Sequence, residues 1–206
     1  MIYFVLDACA LARIYVPDIG TRNLLQIRDY PDSKLVVPNL AYSETISALI
    51  SFINQGLIDE DQYRLTKSGL SADFRTNKVI STEITDADVK QSEQLLERHK
   101  RQPGRMRLSG ADSLYLALAS RISPLLKTLG GRVILVTSDG ALYDSALAEP
   151  EIEAFHFWTC DMGCRCGSEV IPVKGKPKVP NSCPRCGQIC PECRYDLCPS
   201  NYRIRF

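Results

Sequence analysis

Ile2-Tyr3-Phe4-Val5-Leu6-Asp7 is an unbroken apolar run with aromatic and β-branched members that ends on a carboxylate. Being apolar at successive rather than alternate positions, it reads as a strand buried on both faces, the pattern of a parallel sheet covered by helices. Leu35-Val36-Val37-Pro38 and Val133-Ile134-Leu135-Val136 repeat the pattern, and Lys78-Val79-Ile80-Ser81 is a weaker version. The stretches between them are helical in period. Residues 39–55 follow Pro38 with Asn39 as the expected N-cap, and residues 59–75 open on Asp59-Glu60-Asp61. Residues 85–100 open on Thr85-Asp86 and carry Val89, Leu95 and Leu96 on one side, and residues 110–121 are rich in Ala and Leu. Strands alternating with helices predict an α/β domain, a parallel sheet flanked by helices.

The rest of the 206 residues divides unevenly around this domain. Of nine cysteines, Cys9 alone precedes residue 160 and the other eight lie between Cys160 and Cys198. That shift in composition predicts two units, residues 1–150 and residues 151–206, with Pro150 and the short apolar stretch from Ile152 to Trp158 at the junction. Residues 1–150 hold 17 Lys+Arg against 18 Asp+Glu, and residues 151–206 hold 8 against 6, for a net charge of +1 over the chain. A nearly neutral chain has no global field to draw in nucleic acid, so any such attraction must come from local patches or bound cations. No apolar run is long enough to cross a bilayer, and the N-terminus lacks a basic stretch before its apolar segment, so a cytoplasmic protein without a membrane is expected. In that compartment thiols stay reduced, and clustered cysteines point to metal rather than to disulfides.

Four acids are placed where a site would form. Asp7 and Asp139 follow strands, Glu44 falls about one turn into the helix after the second strand, and Asp112 falls in the first turn of the helix that begins near Ser109. Ligands of open parallel sheets bind beyond the carboxyl ends of the strands. Clustered carboxylates suit hard divalent cations such as Mg²⁺ or Mn²⁺, which favour oxygen donors and can promote phosphodiester hydrolysis. Each acid also has a structural role open to it. Asp7 can cap the following helix, Ser109-x-x-Asp112 fits a capping box, Asp139-Gly140 is a common turn pair, and Glu44 can face solvent.

Taken together, Tyr3-Phe4-Val5-Leu6-Asp7-Ala8-Cys9-Ala10-Leu11, Pro38-Asn39-Leu40-Ala41-Tyr42-Ser43-Glu44, Leu108-Ser109-Gly110-Ala111-Asp112-Ser113-Leu114-Tyr115 and Val133-Ile134-Leu135-Val136-Thr137-Ser138-Asp139-Gly140 resemble, in order and interval, the four motifs of PIN-domain nucleases of the VapC toxin type. The resemblance covers about residues 2–149. It implies a parallel α/β fold, an endoribonuclease selective for single-stranded RNA, Mg²⁺ or Mn²⁺ held by Asp7, Glu44, Asp112 and Asp139, a supporting hydroxyl on Thr137, a homodimer, and a small antitoxin partner. Cys9 stands where the family has Ser, Thr or Asn, and is read here as a small buried residue near the site.

Arg98, Lys100, Arg101, Arg105 and Arg107, with His99 and no acid among them, precede Asp112 directly. Lys100, Arg101, Arg105 and Arg107 are RNA-phosphate candidates, against the commoner reading of a solvated charged loop. In the second unit, Cys164-x-Cys166-Gly167 and Cys183-x₂-Cys186-Gly187 are separated by sixteen residues and resemble the paired turns of a zinc ribbon. Cys160, Cys190, Cys193 and Cys198 supply a second set of four, although other pairings remain open. Two structural Zn²⁺ are expected, since so short a segment has little apolar core of its own. A PIN domain joined to a zinc ribbon also resembles the endonuclease that trims small-subunit ribosomal RNA. A non-catalytic RNA- or protein-binding module is the remaining alternative.

Overall fold

The computed structural model describes residues 1–17, 21–100 and 107–157. Their elements are β1(Ile2–Leu6), α1(Ala8–Tyr15), α2(Thr21–Arg28), β2(Ser33–Pro38), α3(Ala41–Asn54), α4(Glu60–Arg75), β3(Val79–Thr82), α5(Asp86–Arg98), α6(Gly110–Thr128), β4(Arg132–Thr137), α7(Gly140–Leu147) and β5(Glu153–His156). The five strands form one sheet in the order β3-β2-β1-β4-β5, every neighbouring pair parallel. Phe4, Val5 and Leu6 of β1, Val37 of β2, and Leu135 and Val136 of β4 have no exposed surface, as a strand covered on both faces requires. Helices α1 to α4 pack among themselves, as do α5 to α7, giving two helical layers on the sheet.

The strand order reverses direction between β1 and β4. β1 is followed by neighbours on one side, and after β3 the chain crosses back to lay down β4 and β5 on the other. Such a reversal leaves a crevice at the carboxyl ends of the two central strands.

Helix boundaries follow local chemistry. Asp59 and Thr85 close full capping boxes with Gln62 and Asp88 at the starts of α4 and α5. Helices α3, α4 and α6 end alike. Gly56 (φ 68), Asn77 (φ 55) and Gly130 (φ 69) adopt the left-handed conformation, and the next residue's N–H returns to a carbonyl five back, Leu57 to Phe52, Lys78 to Asp73 and Gly131 to Leu126. These are Schellman closures, which require Gly or Asn at the turning residue.

Several details differ from the sequence reading. Asn39 does not cap α3; its N–H bonds the Thr82 carbonyl at 2.8 Å, extending the sheet, and Leu40 takes the cap position. Val89 is exposed, and the buried face of α5 is Asp88, Ser92 and Leu95, because Arg121 and Ser113 supply hydrogen bonds that let polar groups occupy it. α6 runs past Pro124 to Thr128. There the Ser123 hydroxyl donates to the Glu151 carbonyl at 2.5 Å, and Leu126 packs on the core. β5 lies beyond the division at residue 150: residues 153–156 pair with β4, and Phe157 is fully buried. No helix among the described residues is long and apolar enough to cross a membrane. The eight cysteines from Cys160 to Cys198, and with them the zinc module, fall outside the described residues, as do Arg101 and Arg105.

Candidate active site

All four acids sit at helix N-termini on the carboxyl edge of the sheet. Asp7, directly after β1, caps α1, its Oδ1 accepting from the Ala10 N–H at 2.5 Å. Asp139, two residues beyond β4, caps α7, its Oδ1 accepting from the N–H groups of Ala141 and Leu142 at 2.8 and 2.9 Å. Asp112 lies in the first turn of α6, where Ser109 is the cap; the Ser109 hydroxyl donates to Asp112 Oδ2 at 2.6 Å and accepts from the Asp112 N–H at 3.1 Å. The capping roles of Asp7 and Asp139 are therefore real, whereas Ser109 and not Asp112 caps α6. The partial positive charge at helix N-termini lowers the cost of holding anions near one another.

Thr137, fully buried at the end of β4, ties two of the acids to each other. Its hydroxyl donates to Asp7 Oδ2 and accepts from the Asp139 N–H at 2.9 Å. This hydroxyl fixes the crevice between β1 and β4 from within.

The electrostatics are those of crowded carboxylates. Asp7 is 5% exposed; burial, assisted by the charges of Asp112 and Asp139, pushes its carboxyl from an ordinary 3.8 up to about 7, against the Thr137 and Ala10 hydrogen bonds that favour its anion. Asp112 is likewise raised, first by burial and then by Asp139, with Ser109 opposing. Glu44, in the first turn of α3, accepts a 2.6 Å hydrogen bond from the hydroxyl of Tyr115, which is 1% exposed. The Tyr115 phenol is raised well above its usual range, by burial and then by Glu44, with Asp7 and Asp112 adding to it. Through that phenol Glu44 is linked to the other acids.

An oxygen-only donor set of four acids, in which burial raises the proton affinity of Asp7 and Asp112, fits a hard divalent cation in chemistry and in charge. Among the described residues, no three His, Cys, Asp or Glu side chains are gathered tightly enough to enclose one ion, each acid being turned towards a neighbouring donor. The charges of Asp112 and Asp139 act on Asp7, that of Asp139 acts on Asp112, and Glu44, Asp7 and Asp112 all act on the Tyr115 phenol.

Cys9 is exposed on the first turn of α1, not buried as expected, because the helix buries Ala10, Leu11, Ala12 and Ile14. Its sulfur nevertheless lies against Ser138 and near Asp7; desolvation there and the Asp7 charge push the thiol up to about 11. Of the basic segment, Lys100 and Arg107 are exposed. Arg98 and His99 are instead engaged by the buried Glu149 at 2.6 and 2.8 Å, which pins the end of α5 to the turn before β5.

Two residues escaped the sequence reading. Tyr115 sits in an apolar helix where an aromatic reads as core. His156 fell in the segment assigned to the second unit, yet it is buried opposite Thr137 in the sheet register. Its imidazole hydrogen-bonds the Ser138 main chain, stands edge-on to Tyr143 with ring centroids 5.4 Å apart, and is held below its usual proton affinity mainly by burial.

No family model and no curated protein matches the chain. Among solved structures it is similar to a FitAB complex bound to a DNA fragment (12% identity over 75% of this chain and 95% of that one, TM-score 0.49). It is also similar to FitAcB from Neisseria gonorrhoeae (14%, 75% and 98%, TM-score 0.48) and to a toxin–antitoxin complex from Klebsiella pneumoniae (13%, 72% and 93%, TM-score 0.43). At these identities and scores the chemistry of the site is read from its own residues.

Proposed function

We propose that the chain is a Mg²⁺- or Mn²⁺-dependent endoribonuclease acting on single-stranded RNA, of the PIN type that its four motifs resemble. The observation that carries this reading is Asp7, buried at the switch point of a parallel sheet, bonded to Thr137 and raised to about 7 by burial and by the acids beside it. A carboxyl in that setting is costly to keep ionised, and a structural cap needs no such cluster.

In this reading Asp7, Asp112 and Asp139 hold the cation, with Glu44 as a further donor. A divalent ion held there would supply Lewis acidity towards the phosphodiester and lower the pKa of a bound water. The chain's own contribution is positioning. Thr137 fixes Asp7 against Asp139, Ser109 orients Asp112, and Tyr115 orients Glu44. Lys100, Arg101, Arg105 and Arg107, on the segment leading into α6, supply phosphate contacts that place the strand beside Asp112. Residues 160–206 hold structural zinc, which closed shells of four thiolates leave without an open position for chemistry.

The motif wording favours a toxin whose site a small antitoxin covers, acting in the cytoplasm as a homodimer, and the cysteine module favours ribosomal RNA maturation. Sequencing RNA 5′ ends after induced expression of the wild type and of Asp7→Asn decides between them. New ends scattered through messenger or transfer RNA support the toxin, ends at one ribosomal position support maturation, and identical profiles for the two proteins sink the nuclease reading.

A further inference from the structure

Tyr115 lies three residues after Asp112 and so on the same face of α6. Its hydroxyl reaches Glu44 on α3, and α3 and α6 belong to different helical layers. This 2.6 Å hydrogen bond therefore spans the carboxyl edge of the sheet, with Asp7 and Asp112 near enough to act on the same phenol. A phenol has one proton to donate, and ionised carboxylates can only accept. With three acids near one hydroxyl, the proton goes to Glu44, and Asp7 and Asp112 must find partners elsewhere. Asp7 takes Thr137 and Ala10, and Asp112 takes Ser109. The side chain is buried, so its hydroxyl position is set by packing and not by solvent.

We infer that Tyr115 is a positioning residue for divalent-cation binding: its buried hydroxyl holds the Glu44 carboxylate at the carboxyl edge of the sheet, the edge on which Asp7 and Asp112 also lie. This rests on the metal-site reading above and adds that Glu44 works only as Tyr115 presents it. Partners that orient a ligating carboxylate typically change metal affinity about 10–100-fold when removed.

The test is Mn²⁺ binding to the full chain by electron paramagnetic resonance, counting the ions that Asp7→Asn removes, for the wild type, Tyr115→Phe, Glu44→Gln and the double variant. Each is measured below its own melting transition. Tyr115→Phe keeps the ring that fills the core, and Glu44→Gln tests the same link from the half-exposed side. The expected result is about 10–100-fold weaker Mn²⁺ binding for Tyr115→Phe, with almost no further loss when the change is made in the Glu44→Gln background. Equal affinity of Tyr115→Phe and wild type overturns the inference, as do two losses that multiply in full. If the wild type has no Mn²⁺ population sensitive to Asp7→Asn, the metal-site reading falls with it.

Discussion

Asp7 carries opposed demands. As the N-cap of α1 it stabilises the fold, and as a buried carboxyl raised to about 7 it works against the fold once ionised. A carboxyl whose folded-state value exceeds its ordinary 3.8 favours the protonated fold. The cost of ionising it is absent below about pH 4, grows between pH 4 and 7, and is constant above; at 1.4 kcal/mol per tenfold change it reaches on the order of 4–5 kcal/mol. Asn keeps the cap without the charge. Metal-free Asp7→Asn should therefore melt several degrees above the metal-free wild type at pH 8, with the gap narrowing as pH falls and closing near pH 4, although it has lost cleavage. A variant no more stable than wild type at pH 8 would show that Asp7 is not held at the expense of the fold. The positions of Asp7 and Asp139 were legible in the sequence because an acid that follows an apolar strand is conspicuous, while Glu44 and Asp112 stood out only by their place in the four motifs. Tyr115 was not, since nothing in Leu114-Tyr115-Leu116 separates a hydroxyl with a task from a core ring. Cys9 was placed on the wrong side of α1 because a small apolar residue in a short helix gives no reading of its face.

At the scale of elements, β1 to β4 and the longer helices were legible from pattern, and α1, α2, α7 and β5 were not. Helices α1, α2 and α7 have eight residues each, too few for a repeated apolar stripe, and β5 has four. β5 matters most. It extends the sheet beside β4, places His156 against Ser138, and is followed by Phe157, whose N–H bonds the Thr137 carbonyl at 3.2 Å and whose carbonyl accepts from Asn23 at 2.8 Å. A protein ending at residue 150 loses Ile152, Phe155 and Phe157 from the core. Deleting buried side chains of that size costs about 2–5 kcal/mol each, against a total stability of roughly 5–15 kcal/mol. Residues 1–157 should therefore melt cooperatively by circular dichroism and residues 1–150 should not; equal melting of the two would remove β5 from the domain's essential structure. The basic segment calls for a second comparison. Glu149 occupies Arg98 and His99 at its near end, so RNA contact falls to the residues that follow. Neutralising Arg101, Arg105 and Arg107 together should weaken RNA binding and flatten its dependence on salt, because each phosphate contact releases counterions. An unchanged salt slope would return the segment to an ordinary solvated loop.

β5 runs out at the carboxyl edge of the sheet, one strand from Thr137, on the side that carries the acids, and the sequence continues from there into the cysteine-rich segment. Its eight cysteines predict about two tightly held Zn²⁺ per chain, which elemental analysis of freshly purified protein would count; none found would remove the metal from the account. Loss of one ligand, as in Cys183→Ser, should release zinc and change which RNA is selected while leaving cleavage of a short unstructured RNA near wild type, since metal supplies the folding of such a segment and not the bond-breaking chemistry. The central claim is that the acids on the carboxyl edge form a divalent-cation nuclease site, and its most direct test is cleavage of a short, end-labelled single-stranded RNA by the purified chain. The account predicts cleavage with Mg²⁺ or Mn²⁺, none in excess EDTA, recovery when Mn²⁺ is restored, and at least a hundredfold loss in Asp7→Asn, on the scale of removing an electrostatic catalytic group. Cleavage that persists in EDTA, or that survives Asp7→Asn undiminished, would contradict it.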